Sequence, residues 1–174
     1  MEQEELKKAI LEGKIFIYPT DTIYGLGCNA LDKKAVEKIR EIKKRDMKPF
    51  SIIAPSIGWI NNHLIVDLDL EKYFPGAYTI ILMKKNPEFF SWVSDTDRLG
   101  VRIPNSKFCD KLRETKIPFI TTSVNFSGEK PANKIEDIDK EMLNKADFVI
   151  ESEDESKMTG IPSTLIINGK KIER

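Results

Sequence analysis

Short apolar runs alternate with helically patterned segments along this chain, and that alternation limits the fold more than any other feature. Ile15-Phe16-Ile17-Tyr18 is an apolar run stopped by Pro19. Phe50 to Ile53, Ala77 to Met83, Pro118 to Thr121 and Phe148-Val149-Ile150 read as further strands. Leu99, Val101 and Ile103 alternate with Gly100 and Arg102, the period-2 pattern of a strand buried on one face. Between these runs, Leu6 and Ile10 share one face of a helix over Glu2 to Glu12 that Gly13 stops. Asp32 caps a second helix reaching about Lys44, with Ala35, Val36, Ile39 and Ile42 at helical spacing. Asn105 is the expected cap of a short helix bearing Phe108 and Leu112, and Glu136 to Ala146 reads as another. Thr164 to Ile167 and Lys170 to Ile172 form a hairpin across Asn168-Gly169. Strands interleaved with helices predict an α/β fold: a single domain over residues 1–174 whose twisted, mostly mixed or parallel sheet is flanked by helices.

Charge and rare residues then remove several kinds of chemistry. The 28 Lys+Arg balance 28 Asp+Glu, against the basic excess of a general nucleic-acid binder. With one histidine, His63, and two cysteines far apart at Cys28 and Cys109, no paired-His site or CxxC zinc site can be built, and no metal site is expected. Two reduced, buried thiols are expected, and His63, after Asn61-Asn62, reads as a surface or capping residue. The longest uncharged stretch, Phe50 to Val66, is broken by Pro55, Gly58, Asn61 and Asn62 and falls short of the ~20 apolar residues of a membrane helix. The acidic start, Met1-Glu2-Gln3-Glu4-Glu5, lacks the basic region of a secretory signal, so a cytoplasmic location is expected.

Three segments place short hydroxyl side chains beside predicted strands: Pro19-Thr20-Asp21-Thr22-Ile23-Tyr24-Gly25, Thr121-Thr122-Ser123-Val124-Asn125-Phe126-Ser127-Gly128, and Pro162-Ser163-Thr164. Turn and cap use explains any one of them. Together they suit a small polar or phosphorylated ligand at the strand ends. A second candidate is the basic run from Lys43 to Lys48: residues 32–48 hold eight Lys/Arg and four Asp/Glu. A solvated last helical turn and a polyphosphate cradle are both open readings. For Arg102 the alternatives are an exposed arginine on the wet side of a sheet and a fixed guanidinium holding a carboxylate. Gly25-Leu26-Gly27-Cys28-Asn29-Ala30 matches a dinucleotide pattern but starts too far after its strand to act as one. The acidic run Glu151 to Glu155 reads as a solvated loop, with a flap over the site as the alternative.

Taken in order, Tyr18-Pro19-Thr20-Asp21-Thr22-Ile23-Tyr24-Gly25-Leu26-Gly27, Lys43-Lys44-Arg45 with Lys48-Pro49, Phe74-Pro75-Gly76, Gly100-Val101-Arg102-Ile103-Pro104, Ser123-Val124-Asn125-Phe126-Ser127-Gly128 and Pro162-Ser163-Thr164 resemble the YrdC/TsaC family of threonylcarbamoyl-AMP synthases. The resemblance implies that L-threonine, bicarbonate and ATP are joined to threonylcarbamoyl-AMP with release of pyrophosphate. The product then passes to a separate transferase complex that modifies tRNA. It also implies that Thr22, Arg102, Ser123 and Ser163 surround threonine, with Arg102 on its carboxylate. Lys43 and Arg45 would be the catalytic cations, and Arg45, Lys48, Asn125, Asn133 and Arg174 would hold ATP, which brings Mg²⁺ with it. This sequence departs from the family in having only two residues between Arg45 and Lys48, Ile52-Ile53 where some relatives have a histidine, Asn133 in place of Ser or Thr, and no extra C-terminal domain. Two rivals remain: a relative that handles carbamoyl-adenylate, and a non-catalytic RNA-binding module of the same fold.

Overall fold

The structure is a computed structural model that describes residues 1–44, 47–126 and 128–172. In chain order its helices and strands are α1 (Gln3–Leu11), β1 (Phe16–Pro19), β2 (Tyr24–Gly27), α2 (Lys33–Lys43), β3 (Ser51–Ile53), α3 (Ile57–His63), β4 (Leu64–Ile65), β5 (Tyr78–Lys84), β6 (Arg98–Arg102), α4 (Lys107–Glu114), β7 (Phe119–Ser123), α5 (Lys140–Lys145), β8 (Phe148–Val149), β9 (Thr164–Ile167) and β10 (Lys170–Ile172). The strands form one ten-stranded sheet in the order β10-β9-β5-β6-β3-β7-β2-β1-β8, with β4 beside β5. It is mixed, as expected: β1/β8, β3/β6 and β5/β9 pair in parallel.

Register explains both faces. Ile166, Ile80, Val101, Ile52 and Ile120 stand in one row across β9, β5, β6, β3 and β7. All are buried in the larger core cluster with Ala35, Val36, Ile39 and Ile42 of α2. Neighbouring residues point to the opposite face. There α1 and α4 supply Leu6, Ile10, Phe108 and Leu112 against Phe16, Tyr18, Ile53 and Phe119. The next row on that face, Ile81, Gly100, Ser51 and Thr121, lines a cavity instead of packing under a helix.

Several local expectations are met and several are corrected. Asp32 caps α2, its Oδ1 accepting from the N–H groups of Lys34 and Ala35 at 3.0 and 3.2 Å. The last hairpin turns through Asn168 (φ 52°) and Gly169 (φ 71°), the left-handed pair that a two-residue hairpin loop requires. Ser106, not Asn105, caps α4, its Oγ accepting from Cys109 N at 3.3 Å, since the helix starts at Lys107, and the Asn105 N–H donates to Asp21 Oδ2 at 2.9 Å. The helix expected over 136–146 is shorter: Asp139 accepts from Glu141 N and starts α5 afresh after a 3₁₀ turn at Ile135–Asp137. Helix α3, which the sequence reading did not mark, lies inside the uncharged stretch from Phe50 to Val66, opened by Ser56 accepting from Trp59 N. His63 ends that helix half-buried, its ring stacked 4.6 Å from Phe89 and tilted at 4.6 Å from Trp59, so the residue read as a surface or capping one is also part of an aromatic cluster. Cys28 and Cys109 are free and buried.

The dinucleotide-like glycines prove to be strand residues. Gly25 and Gly27 sit on β2, paired to β1 on one side, and Gly25 also to Ser123 of β7 on the other. A Cβ on Gly27 would lie 2.0 Å from the Ile120 carbonyl oxygen, so that position admits no side chain. Polar-looking sequence became a strand because its backbone is paired on both sides, a constraint that propensity does not register.

Candidate functional site

The cavity over the open half of the sheet measures about 480 Å³, and its wall is rich in hydroxyls: Thr20, Ser51, Thr79, Thr121, Ser123 and Ser163. All three predicted hydroxyl segments contribute to it. The strand register gives it two ends. Gly100 faces Ser51, which faces Thr121. From there β6 runs forward to Arg102 at one end, while β7 runs forward to Ser123 at the other. Gly100 keeps the floor open between them, since a Cβ there would come within 2.4 Å of Ser51 Oγ.

At the first end stands Arg102. It is 6 % exposed, which overturns the reading of an arginine on a wet face. β6 is a central strand, buried on both sides from Leu99 onward. Arg102 Nη2 donates to Asp21 Oδ1 at 2.9 Å and to Thr22 Oγ1 at 3.2 Å. Asp21 is itself fixed by the Asn105 N–H. Thr20 Oγ1 accepts from the N–H groups of Thr22 and Ile23, folding the segment so that Asp21 and Thr22 meet the arginine. Nε of Arg102 is buried with no hydrogen-bond partner among the described residues. An orphaned guanidinium donor is costly unless something fills its place. A planar carboxylate is the ligand that fits such a fork. Ser163 belongs to this end: its Oγ lies 2.7 Å from Thr79 Oγ1, and Thr79 sits one residue before Ile80, the partner of Val101. The segment before it is stitched down, with Thr159 and Gly160 donating to the carbonyls of Asp21 and Thr22.

At the second end, Lys43 comes from the last turn of α2 to the wall at Ser123 without itself lining the cavity. It is 2 % exposed, and its Nζ donates to the Ser123 carbonyl at 2.5 Å and to Asn125 Oδ1 at 3.3 Å. Asn125 Nδ2 in turn donates to the carbonyls of Phe126 and Glu129. The basic run is therefore more than a solvated helix end, because its first lysine is buried against the cavity wall. Lys48 is exposed and Asn133 is exposed, and neither lines the cavity. Asn133 instead lies against Gly160. Arg45 and Arg174 lie outside the described residues.

The acidic run is exposed at Glu151, Glu153 and Asp154, as a solvated loop would be, and is anchored at Ser152 and Glu155. Tyr24 donates to Glu155 Oε1 at 2.8 Å and accepts from Ser152 N at 3.1 Å, and Ile135 N donates to the same Glu155 oxygen. Burial, helped by Glu155, pushes the Tyr24 hydroxyl up to about 12. Asp21, Ser51, Thr79 and Thr121 were not singled out individually from sequence. The signal was present for the last three: each alternates with a core isoleucine, as at Ser51-Ile52 and Thr79-Ile80, so a polar row on one strand face was readable.

The sequence and fold of the chain match known proteins. The model of the Sua5/YciO/YrdC family, described as telomere recombination, matches residues 8–173. A putative threonylcarbamoyl-AMP synthase of Methanocaldococcus jannaschii is 43 % identical over 153 residues, covering 85 % of this chain and 72 % of that protein. The threonylcarbamoyl-AMP synthase of Wigglesworthia glossinidia brevipalpis is 32 % identical over 149 residues, covering 79 % and 75 %. Among solved structures, Pyrococcus abyssi Sua5 complexed with L-threonine superposes with a TM-score of 0.80 at 27 % identity, covering 98 % of this chain and 52 % of that one. The chain thus spans about half the length of that Sua5 chain.

Proposed function

Since the chain belongs to the Sua5/YciO/YrdC family, we propose that it is an L-threonylcarbamoyladenylate synthase, condensing L-threonine, bicarbonate and ATP with release of pyrophosphate. The observation that carries this reading is a cavity with Arg102, its Nε unpartnered among the described residues, at one end and Ser123 at the other, where buried Lys43 holds the Ser123 carbonyl and Asn125 beside the wall. In this reading the threonine carboxylate pairs with Arg102, whose orientation Asp21 and Thr22 fix, and Thr22 and Ser163 surround the amino acid. The amine adds to bicarbonate with loss of water to give a carbamate. A carbamate oxygen then bonds to the α-phosphorus as the bond from that phosphorus to the β-phosphate bridge breaks, and pyrophosphate leaves with its electron pair.

The carbamate is its own nucleophile, so the protein's contribution is placement and charge. Lys43 and Arg45 stabilise the charge that develops on the phosphates. Ser123 falls on the Lys43 side of the cavity, so in this reading it contacts the reacting carbamate or phosphate, not the threonine carboxylate. Asn125 holds Lys43 and faces the nucleotide. Lys48, Asn133 and Arg174 are further nucleotide contacts in this reading. Mg²⁺ travels with ATP, coordinated by phosphate oxygens and water. The product supplies a tRNA-modifying transferase complex, and the reaction takes place in the cytoplasm.

Pyrophosphate release is the test, measured with ATP, bicarbonate and threonine, then with serine in place of threonine, beside RNA binding across a salt series. Threonine-dependent release supports the synthase, and Arg45→Ala should lower it by ~100-fold, the effect of one preorganised charge. Release without threonine, or RNA affinity without release, overturns it in favour of a carbamoyl-adenylate enzyme or an RNA-binding module respectively.

A further inference from the structure

A hydroxyl stands in the middle of the cavity floor, away from both of its ends. The row Ile81, Gly100, Ser51 and Thr121 crosses β5, β6, β3 and β7, and all four residues line the cavity. Along β3 the alternate positions to either side of Ser51 carry no polar side chain, being Pro49 and Ile53. Ile53 is level with Arg102 and is buried with residues of α4. Ser51 therefore stops two residues, ~6.6 Å of strand, short of the Arg102 level, and as far short of the Ser123 level in the other direction.

Other hydroxyls of the wall are occupied. Thr20 donates to the Ile23 carbonyl, and Thr79 shares its hydrogen bond with Ser163. Ser51 is half-buried, and its Oγ has no hydrogen-bond partner among the described residues. The room around that oxygen exists because position 100 is glycine, where a Cβ would lie 2.4 Å from it. The covalent geometry of an amino acid decides which group meets Ser51. With the threonine carboxylate on the Arg102 fork, the amine nitrogen is two bonds on, about 2.5 Å from the carboxylate carbon, and the carbamate carbon is one bond further. The unit that arrives over the middle of the floor is thus the planar one derived from bicarbonate. One of its oxygens attacks phosphorus, and the other needs a donor once water is excluded.

We propose that Ser51 holds this unit: its hydroxyl donates to the carbamate oxygen that does not attack, so that the other oxygen is turned toward the α-phosphorus at the Ser123 end. This deepens the synthase reading and rests on it. Ser51 forms no bond to the substrate and gives up no proton. Its contribution is to orient the nucleophile between two ends that bind the carboxylate and the phosphates.

The test compares wild type with Ser51→Ala and Ser51→Cys, the second keeping a weak donor. Pyrophosphate release is titrated separately against bicarbonate, threonine and ATP. Binding of L-threonine and of N-carbamoyl-L-threonine is measured by calorimetry; the latter keeps the carbonyl oxygen of the carbamate but has an amide nitrogen in place of the attacking oxygen. Ser51→Ala should raise the KM for bicarbonate and weaken N-carbamoyl-L-threonine by ~5-fold or more, the effect of one hydrogen bond. The KM values for threonine and ATP and the affinity for L-threonine should stay within about twofold, with Ser51→Cys between wild type and Ser51→Ala; a merely structural role would move all the ligands together. A folded Ser51→Ala with unchanged bicarbonate KM and unchanged N-carbamoyl-L-threonine binding overturns the proposal, and if that variant fails to fold, wild-type values in Ser51→Cys overturn it equally. Wild type that shows no threonine-dependent pyrophosphate release, yet binds N-carbamoyl-L-threonine through Ser51, sinks the synthase reading and leaves the subsite standing. Wild type that neither uses bicarbonate nor binds N-carbamoyl-L-threonine overturns both.

Discussion

The Arg102–Asp21 pair separates binding from stability in a way that can be measured. Their side chains are 8 % and 12 % exposed, so neither charge is well solvated once the other is removed. In Arg102→Met, Asp21 keeps, among the described residues, only the Asn105 N–H as a side-chain partner and becomes a buried, largely uncompensated carboxylate. Breaking one side of such a pair costs about 3–5 kcal/mol. Replacing both charges removes that penalty, so Arg102→Met/Asp21→Asn should recover most of the lost stability. Threonine use should behave differently. Charge-assisted hydrogen bonds contribute about 1.5–3 kcal/mol each, and a carboxylate on the open side of the fork takes two, so kcat/KM for threonine should fall by ~100-fold or more in both variants. The assay is urea unfolding of wild type, the two single variants and the double variant, alongside pyrophosphate release against threonine concentration. A double variant as unstable as Arg102→Met would refute the buried-pair reasoning. A double variant that regains threonine use would refute the role given to Arg102.

Further outcomes follow from other parts of the molecule. Lys43→Met removes the cation held by Ser123 and Asn125 and should lower pyrophosphate release ~100-fold with wild-type threonine affinity; a near-normal rate would show that Lys43 only braces the wall. Gly27→Ala drives a Cβ onto the Ile120 carbonyl and the Phe119 ring and should cost about 1–3 kcal/mol or more, read as a lowered Tm; an unchanged Tm would show that β2 shifts freely. Burial pushes the Cys109 thiol from 9.0 up to about 12. The sign is that of an acid kept neutral by the fold: its contribution to stability is complete below pH ~9 and fades as pH rises through about 12. At pH 8, Cys109 should therefore resist thiol-labelling reagents until the protein is unfolded, and labelling of the native protein at a free-thiol rate would contradict its burial.

Sequence pattern alone determined the α/β class, the position of most strands, the Asp32 cap and the Asn168-Gly169 hairpin, because apolar periodicity and turn chemistry are local properties of the chain. It also marked the three hydroxyl segments, and the motifs that resemble the family pointed to Thr22, Lys43, Arg102, Ser123, Asn125 and Ser163. Only the tertiary structure decided which of these face one another. Whether Arg102 is wet or buried depends on Asp21 and Thr22 folding over its face of β6, a long-range contact. Asp21 acquired its role by folding back onto an arginine 81 positions away, and no local pattern encodes that pairing. Ser51 and Thr79 became cavity floor for the same reason: pleat direction says that alternate residues share a face, but which face lies under a helix and which stays open is settled by where α1 and α4 pack.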